Sequence, residues 1–442
     1  MKFSKICLLL GAVVTSLTMF GCGSDNDNNP DEVAEVVWQI IEASGRHIYN
    51  GSGQSSHTCG ISTEGELFCW GAGGEGQLGT GNRASTTTPI QVGESTTWTD
   101  VAVGGGFTCG IDAGELYCWG SNRAYPNFNL PSKWSLLGLG DDFDDVDSVA
   151  IPTQVGTATD WTQVTAGTNH ACGIRDDGTD QTLWCWGYGA SSGALGNSDA
   201  DPDQGSLYEN KNEPTQEEGN HTDWAYVEAG DRSMTMGIRD DGTDRTLWHF
   251  GQSLNGLSDS SVAQQVGAET DWATIALGAW EFCGIRDDGT DQTLWCFGNN
   301  NHGQLGDGTT GSVSIAAIAQ IGDGTAWSDI DMGPGYTCGI ESSDLYCWGR
   351  NHSGELGLNT DLTAYSSCES HGGDEDEPSD CTEPELVSEA QTWASLSVGT
   401  GHGCAISSDD QTFCWGKNFF GELGVSSVQA TANQPTKIEI SN

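Results

Sequence analysis

One segment of roughly fifty residues recurs seven times along the chain, and this tandem repeat constrains the fold more than any other feature. Each copy centres on Cys-Trp-Gly or a close variant of it. The seven triplets are Cys69-Trp70-Gly71, Cys118-Trp119-Gly120, Cys185-Trp186-Gly187, His249-Phe250-Gly251, Cys296-Phe297-Gly298, Cys347-Trp348-Gly349 and Cys414-Trp415-Gly416. Because the intervals between triplets vary, the pattern indicates a repeated unit that carries loops of variable length.

Every copy opens with a tryptophan strand. In the second copy Trp98 is followed by Val101 at +3, Val103 at +5 and Gly104 at +6. Apolar residues at +3 and +5 alternate as a half-buried strand requires. The opening tryptophans are Trp38, Trp98, Trp161, Trp224, Trp272, Trp327 and Trp393.

A hairpin follows, and its register can be predicted from spacing. If Cys59 faces Cys69, Ile61 faces Leu67, and both pairs lie on one face of the hairpin. The fourth copy has Met236 and His249 in the two Cys positions, and the joint loss is expected if the cysteines pair. The sequence therefore predicts a disulfide across each of the other hairpins: Cys59 with Cys69, Cys109 with Cys118, Cys172 with Cys185, Cys283 with Cys296, Cys338 with Cys347, and Cys404 with Cys414.

A Gly-rich turn ending in Leu-Gly comes next, as in residues 76–79 and 303–306. A short fourth strand follows, often opened by Pro, at 89–92, 152–155, 384–387 and 435–438. Four strands per copy and seven copies predict an all-β fold, a seven-bladed β-propeller of four-stranded antiparallel blades.

These motifs resemble the regulator of chromosome condensation repeat family, whose unit is also a Trp strand, a hairpin ending in Trp-Gly and a Gly-Gln-Leu-Gly turn. The resemblance extends from Trp38 to about Ile440. It implies a seven-bladed propeller whose ring is closed by strands from both termini. On that basis residues 437–440 are expected to pair in the sheet that begins at Trp38.

The first 21 residues have the pattern of an export signal, with Lys2 and Lys5 before an apolar stretch at 6–20. Gly21 precedes Cys22, which predicts a bacterial lipoprotein signal cleaved before a lipid-modified Cys22; the alternative is an ordinary signal peptide with an incidental Cys. Residues 22–36 would be a flexible polar tether and 37–442 the propeller. We expect an exported protein at the bacterial outer membrane or cell surface.

The cysteine count agrees with export. Of 16 cysteines, Cys7 lies in the signal and Cys22 is assigned to the lipid, and six hairpin pairs use twelve of the rest. Cys368 and Cys381 remain, bracket one acidic insertion and can pair with each other. Even pairing of this kind is typical of a disulfide framework in an exported chain.

The charge excludes one class of partner. With 63 acidic and 15 basic residues the formal net charge is −48, so the chain should repel nucleic acid and anionic membrane surfaces. The chromatin partner of the family's namesake is therefore not expected. Membrane contact is expected only through the lipid anchor, since no further apolar span is present.

The copies differ mainly in four insertions, at 46–55, 123–133, 198–212 and 359–383, all predicted to lie on one face of the ring. The alternative is that these loops are solvent-exposed and bind no partner. The aromatic residues expected to bind a partner there are Tyr125, Phe128, Trp134, Tyr208 and Tyr365.

Metal sites have weaker support. Three hairpins share Arg-Asp-Asp-Gly-Thr-Asp, at 175–180, 239–244 and 286–291. The Asp-Gly pair favours a turn at the hairpin tip. The alternative is that the clustered carboxylates bind calcium. The acidic run supplies a second set of calcium candidates: Asp141, Asp142, Asp144, Asp145 and Asp147. We expect no cofactor, with calcium as the open alternative.

The histidines favour structural roles. His57, His170 and His402 lie two residues before a hairpin Cys, where other copies have Phe, Met, Glu or Tyr, so packing or a backbone hydrogen bond is expected there rather than catalysis. His302 and His352 lie in equivalent Gly-rich turns and are interpreted as turn residues. No catalytic motif is recognisable.

The predicted function is a non-enzymatic, surface-displayed module, a monomer, that binds a protein or an envelope polymer through the insertion loops. One alternative is an inhibitor or adhesin that acts on a secreted enzyme or a glycan. Others are a carboxylate-based hydrolase or lyase in the central channel, and nucleotide exchange on a small GTPase, which fits a cytosolic chain better.

Overall fold

Seven antiparallel sheets follow one another along the described part of the chain, each built from one repeat. The computed structural model describes residues 36–43, 56–123, 135–189, 192–197, 210–231, 233–254, 256–313, 318–358, 365, 367–369, 380–426 and 430–438. These residues form one compact unit. The sheets are called blades 1 to 7 in chain order, and the all-β seven-bladed propeller predicted from the sequence is confirmed.

The first strand of each of the first three blades begins at the predicted tryptophan. Blade 1 contains Trp38–Ala43, His57–Ser62, Leu67–Gly71 and Thr86–Gln91. Blade 2 contains Trp98–Val103, Phe107–Asp112, Glu115–Ser121 and Ser148–Gln154. Blade 3 contains Trp161–Ala166, His170–Asp176, Gln181–Gly187 and Lys211–Gln216.

The other four blades repeat this order. Blade 4 contains Trp224–Ala229, Met234–Asp240, Arg245–Gly251 and Ser260–Val266, and blade 5 contains Trp272–Leu277, Glu281–Asp287, Gln292–Gly298 and Ala319–Gln320. Blade 6 contains Trp327–Gly333, Tyr336–Glu341, Asp344–Gly349 and Asp380–Leu386, with a fifth short strand, Cys368–Glu369, beside the last. Blade 7 contains Trp393–Val398, His402–Ser407, Thr412–Lys417 and Thr431–Lys437.

The described chain contains one short 3-10 helix, Asp141–Phe143, in the connection between the third and fourth strands of blade 2. None of the helical structure in the described residues is long and apolar enough to cross a bilayer.

The two faces of each hairpin pack against different neighbours. On one face the buried Cys109, Ile111 and Leu116 of blade 2 contact the tryptophans Trp161 and Trp186 of blade 3. Burial of apolar surface between successive blades therefore forms the core, since each sheet supplies half of two adjacent apolar layers.

The glycine between Cys and Ile in the hairpin makes room for the opening tryptophan of the same blade. A Cβ atom added at Gly60 would lie 2.7 Å from Cε3 of Trp38. A side chain at Gly60 would therefore displace the indole ring from its own hairpin, and six of the seven blades have Gly at this position, whereas blade 7 has Ala405.

The predicted hairpin register is confirmed. Cys59 faces Cys69 and Ile61 faces Leu67, and the fourth blade keeps the same register with Met236 facing His249. All seven predicted disulfides are present: Cys59–Cys69, Cys109–Cys118, Cys172–Cys185, Cys283–Cys296, Cys338–Cys347, Cys368–Cys381 and Cys404–Cys414.

The fourth strands contain the predicted prolines within a bulge rather than at the strand start. In blade 1 Cys69 faces Ile90 while Gly71 faces Thr86, so three residues, 87–89, lie opposite Trp70 alone, two of them are extra, and Pro89 is one of the three. A bulge residue does not need to donate to the neighbouring strand, which suits a residue without an N–H group.

The prediction that residues 437–440 pair in the sheet of Trp38 is wrong. Lys437 faces Phe413, so the last strand completes blade 7, while Thr86–Gln91 already supplies the fourth strand of blade 1. Each repeat provides its own four strands, and no exchange between the termini is required. The ring instead closes by packing, with Trp38 and Trp70 of blade 1 in one apolar cluster with Ile438.

Candidate functional site

The antiparallel order of the strands divides the connections between two faces. The links from first to second strand and from third to fourth strand emerge on one face, here called the turn face. The hairpin tips between second and third strands emerge on the opposite side, the hairpin face. All four predicted insertions join strands at the turn face, as expected from the sequence.

Most of the predicted binding residues lie outside the described residues. These are Tyr125, Phe128, Trp134 and Tyr208, and Cys22 is outside them as well. Tyr365 is described and is half-buried, packed against the apolar cluster of blades 6 and 7 beside Cys368. The structure thus gives Tyr365 a packing contact in addition to the predicted role at the surface.

The Gly-rich turns of the turn face are held by the tryptophan of the following blade. Trp119 Nε1 of blade 2 donates to the carbonyl of Gln77 in the turn of blade 1, at 2.8 Å. The equivalent bonds run from Trp348 to Gln304, from Trp415 to Glu355 and from Trp70 to Glu422. In these four blades the Trp of Cys-Trp-Gly joins its blade to the turn of the blade before it, whereas Trp186 of blade 3 makes no such bond among the described residues and blades 4 and 5 have Phe at this position.

The histidines two residues before the hairpin Cys extend this network. His57 Nε2 lies 2.7 Å from Thr108 Oγ1, and that hydroxyl donates to the carbonyl of Gln77 at 2.8 Å. Since the hydroxyl hydrogen is used on the carbonyl, the imidazole must be the donor at Nε2. His170 and Thr235 repeat the arrangement at 2.9 Å. These histidines thus bond through Nε2 to threonine hydroxyls of the next blade, and not to a backbone group as expected from the sequence.

His402 makes the same bond across the seam between blades 7 and 1. Its Nε2 lies 3.0 Å from Thr58 Oγ1, which donates to the carbonyl of Glu422. Burial lowers the pKa of His402 to about 3, so the ring is neutral at physiological pH. A neutral ring that donates one hydrogen bond is suited to packing rather than to proton transfer.

Blade 5 has an acid at the position of these histidines. Glu281 is buried and accepts hydrogen bonds from the backbone N–H of Gly335 at 2.9 Å and of Trp280 at 2.8 Å. Burial raises the pKa of Glu281 to about 7, against the lowering effect of the two N–H donors. The carboxylate ties blade 5 to the first turn of blade 6, so it has the same architectural role as the histidines.

A channel of 320 Å³ runs between the first strands of the blades. Its polar side chains connect neighbouring blades. Asp100 accepts from the backbone N–H of Val164 at 2.8 Å, and Asp329 accepts from Leu396 at 3.0 Å. Asp331 makes a second bond of this kind across the seam of Asp329, and equivalent bonds across other seams are made by Gln163, Thr165 and Ser397.

Two of the channel carboxyls titrate near neutrality. Burial raises the pKa of Asp100 to about 7 and that of Asp329 to about 6. Both oxygens of each group accept backbone N–H groups, at Val101 and Val164 for Asp100 and at Ile330 and Leu396 for Asp329. These acids are engaged in holding adjacent blades, which is not the arrangement that a general acid or base requires.

The hairpin face contains the three Arg-Asp-Asp-Gly-Thr-Asp tips, and their geometry is that of a turn. Asp177 accepts from the backbone N–H of Thr179 and Asp180, and these bonds lower its pKa. Arg175 forms a two-pronged ion pair with Asp160 and lies over the ring of Trp184, 4.9 Å from its centre. The carboxylates are occupied by backbone groups of their own turns, which supports the turn interpretation over the calcium one.

The acidic run does not gather ligands around one point. Asp141 and Asp144 both accept from the amide of Asn212, at 2.7 and 3.3 Å, and Asp147 pairs with Arg123. The calcium prediction for Asp141, Asp142, Asp144, Asp145 and Asp147 receives no support from the described geometry.

A different set of metal-ligating side chains meets at the turn face. Among the described residues, ligand atoms of His302, His352 and Asp380 lie within 4.8 Å of one another. From the sequence the two histidines are expected to be turn residues only, and their meeting with Asp380 is not predicted. The available signal was that the histidines occupy equivalent turns of adjacent repeats.

An exposed aromatic side chain also lies on the turn face. Phe419, in the Gly-rich turn of blade 7, is 63% exposed, more than the two exposed aliphatic residues Ile90 and Ile151 of the fourth strands. Large exposed aromatics are enriched at protein-binding surfaces.

The comparison with sequence families agrees with the repeat. Models of the regulator of chromosome condensation (RCC1) repeat match residues 64–111 and 161–193. This chain carries RCC1 repeats. The two matches cover parts of blades 1 to 3, and the recurrence of the same motifs in blades 4 to 7 extends the RCC1 pattern around the ring.

Two relatives are similar to this chain over very different lengths. The Ultraviolet-B receptor UVR8 of Arabidopsis thaliana is 24% identical over 432 residues, which are 95% of this chain and 76% of that protein. The human E3 ubiquitin-protein ligase HERC2 is 31% identical over 153 residues, 33% of this chain. That match spans only 3% of the length of HERC2.

A solved structure agrees with the RCC1 fold. Human WBSCR16 has a TM-score of 0.67 to this chain at 17% identity, with 85% of this chain and 94% of that chain covered. At this level of identity the similarity concerns the fold alone.

Proposed function

We propose that this protein is a non-enzymatic binding module that recognises a partner protein, or a polymer of the cell envelope, through its turn face. The proposal is supported by a difference between two sets of side chains: one set connects the blades, and the other is exposed on the turn face. Three described groups whose pKa values are strongly shifted by burial, Asp100, Glu281 and His402, connect blades to one another. The exposed ring of Phe419 lies on the turn face, and the four predicted insertions connect strand ends of that face, while most of their own residues lie outside the described part of the chain.

The relatives support this proposal in general terms. RCC1-type propellers are protein-interaction modules, and UVR8 is named as a receptor. The similarity to HERC2 is confined to a small part of that ligase, so its ligase activity has no bearing on this chain. The net charge of −48 favours a partner with a basic surface and disfavours nucleic acid.

We further propose that the propeller is exported and held at a membrane by lipid on Cys22. The support is the sequence of residues 1–22 together with seven disulfides, which persist in oxidising compartments. Mass spectrometry of the mature protein tests this point: an unmodified Cys22 in protein purified from its native membrane fraction would remove the anchor.

The test of the binding face compares two surface substitutions of similar character. Phe419→Ser alters the turn face, and Ile151→Ser alters a fourth strand at the rim, where Ile151 is 56% exposed. Both residues are exposed, so neither change should lower the stability of the fold by more than about 0.5 kcal/mol. We expect partners recovered from an envelope extract to be lost with F419S and kept with I151S, with melting temperatures of both variants as the control.

Replacement of residues 370–379 of the longest insertion by a short Gly-Ser linker, which keeps room for a turn between Glu369 and Asp380, is the second arm of this experiment. The half-cystines Cys368 and Cys381 remain, so the bridge can still form across the shortened loop. Equal recovery of partners by intact protein, F419S and the shortened protein would contradict the turn face as the binding surface.

A further inference from the structure

Two neighbouring repeats bring three metal-ligating side chains to one point of the turn face. His302 lies in the Gly-rich turn of blade 5, and His352 lies in the equivalent turn of blade 6. Asp380 is the first residue of the fourth strand of blade 6. The turn of blade 5 rests on that strand, since the N–H of Gly308 donates to the carbonyl of Thr382 at 2.9 Å.

The distances within this cluster are those of potential ligands. His302 Nδ1 lies 2.7 Å from one oxygen of Asp380, and His352 Nε2 lies 3.5 Å from the other. The two imidazole rings meet edge to face with centres 5.9 Å apart. Around a tetrahedral ion with bonds of about 2.0–2.1 Å, ligand atoms are separated by roughly 3.3 Å. The observed separations bracket that value.

We propose that His302, His352 and Asp380 form a binding site for a divalent transition-metal ion of the zinc type. Two imidazole nitrogens and one carboxylate suit Zn²⁺, Co²⁺ or Ni²⁺, whereas Ca²⁺ and Mg²⁺ require sets of oxygen ligands. With both rings neutral, one carboxylate leaves a net charge of about +1 on the occupied site, which the acidic surroundings of this chain favour.

The supporting contacts fix the cluster before any ion arrives. Asp380 is 2% exposed, and the backbone N–H of Asn351 lies 3.3 Å from one of its oxygens. The neighbouring Cys381 is bonded to Cys368, and it holds the start of this strand against the short fifth strand. The backbone N–H of His302 donates to Gln304 Oε1 at 2.9 Å, which holds the turn. Outer contacts of this kind orient metal ligands.

Three protein ligands leave a fourth position of a tetrahedral ion open. His352 is half-exposed, with 50% of its side chain accessible, so the cluster lies at the edge of the turn face rather than in the core. The open position would therefore be available to water or to a side chain of a partner.

The competing explanation is a hydrogen-bonded His–Asp pair with a second histidine nearby. The chain supplies a matched control for that arrangement, because His221 Nδ1 lies 2.9 Å from Glu217 Oε1, and Glu217 is as buried as Asp380. Neither of these residues belongs to the three-ligand cluster found among the described residues. If an isolated His–carboxylate pair were enough to bind metal, His221 and Glu217 would bind it too.

The experiment uses the untagged mature chain, stripped with a chelator and titrated with ZnCl₂ by calorimetry in excess Ca²⁺, which saturates non-specific acidic sites. We expect one equivalent of Zn²⁺ bound with a dissociation constant in the micromolar range or below, and a rise in melting temperature on saturation. Titration with Co²⁺ alone should give the intense visible absorption of a tetrahedral nitrogen and oxygen site.

The variants decide between the two explanations. His352→Gln changes a half-exposed side chain and should fold normally, yet it should weaken Zn²⁺ binding at least about tenfold. His302→Gln should do the same, and His221→Gln should leave binding unchanged. The proposal is overturned if the parent protein binds no tight equivalent of Zn²⁺, or if H352Q binds Zn²⁺ with unchanged affinity. It is also overturned if H221Q loses as much Zn²⁺ affinity as H352Q does.

Discussion

His402 Nε2 lies 3.0 Å from Thr58 Oγ1 and joins the last blade to the first without any shared strand. The same hydroxyl donates to the carbonyl of Glu422 at 2.9 Å, which also accepts from Trp70 Nε1. A propeller must close its ring, and here closure depends on this buried relay, on the bond from the N–H of Ala43 to Ser397 and on an apolar cluster instead of on strand exchange. The seam between blades 7 and 1 is therefore built like the other seams of the ring.

We predict that Thr58→Val destabilises the fold by about 1–3 kcal/mol, because it leaves the buried N–H of His402 without an acceptor. His402→Phe should reduce that cost in the double variant, since a phenyl ring needs no partner and Phe107 already occupies this position in blade 2. A double-mutant cycle on urea unfolding measures the coupling. Additive effects of the two substitutions would show that the bond contributes nothing.

Blade 4 provides a test of the hairpin register. Met236 faces His249 in the same way as Cys172 faces Cys185 in blade 3, and the two Cys positions are separated there by 13 residues. We predict that Met236→Cys with His249→Cys forms a seventh hairpin disulfide. A bridge over such a loop contributes about 3 kcal/mol relative to the reduced form of the same variant.

Thiol titration of this double variant in denaturant checks the prediction directly. The non-reduced variant should contain no more free thiol than the parent, whereas the single variant H249C should contain one more. Two extra thiols in the double variant would mean that the two positions do not meet as the register requires.

The hairpins could be predicted from sequence because a strand has a side-chain period of two, so one assumed pair fixes every other pair. The joint absence of both cysteines at Met236 and His249 was enough to assign a covalent pair. The disulfides and the blade count followed from the same reasoning, and the structure confirms them.

Contacts between blades could not be predicted in this way. The acceptor of Trp119 is a backbone carbonyl of the preceding blade, and its position depends on the curvature of the whole ring. The cluster of His302, His352 and Asp380 was missed for the same reason, since its members come from two turns and a strand that are distant in sequence. Ring closure was assigned by family resemblance, and the pairing of Lys437 with Phe413 contradicts it.

Stability should decrease as pH rises from about 4 to about 7. Burial raises the pKa of Asp100, Glu281 and Glu422 to about 7 and that of Asp329 to about 6, so the folded state holds more protons than the unfolded state in this window. His402 acts in the opposite direction, as its pKa is lowered to about 3. Burial also lowers the pKa of His249 to about 4, and this adds to the opposing effect of His402. The four acids change the number of bound protons more than the two histidines do, so the net effect of rising pH in this window is a loss of stability.

Urea unfolding at a series of pH values measures this dependence. The free energy of unfolding should be higher at pH 5 than at pH 7.5, and Asp100→Asn should make the slope shallower by the contribution of one group. A stability that rises steadily from pH 4 to pH 7 would contradict the buried carboxyls as protonated groups.

The glycine that ends each Gly-rich turn allows close approach to a tryptophan of the next blade. A Cβ atom at Gly424 would lie 2.9 Å from Nε1 of Trp70, which is fully buried and already donates to Glu422. Gly93 has a similar positive φ, 69° against 65°, but nothing lies within 4 Å of its Cβ position. Both Gly→Ala changes have the same backbone cost, so their difference isolates the contact with Trp70. We predict that G424A destabilises the fold by about 1–3 kcal/mol more than G93A. Equal unfolding midpoints for the two variants would show that the turn does not hold the indole ring.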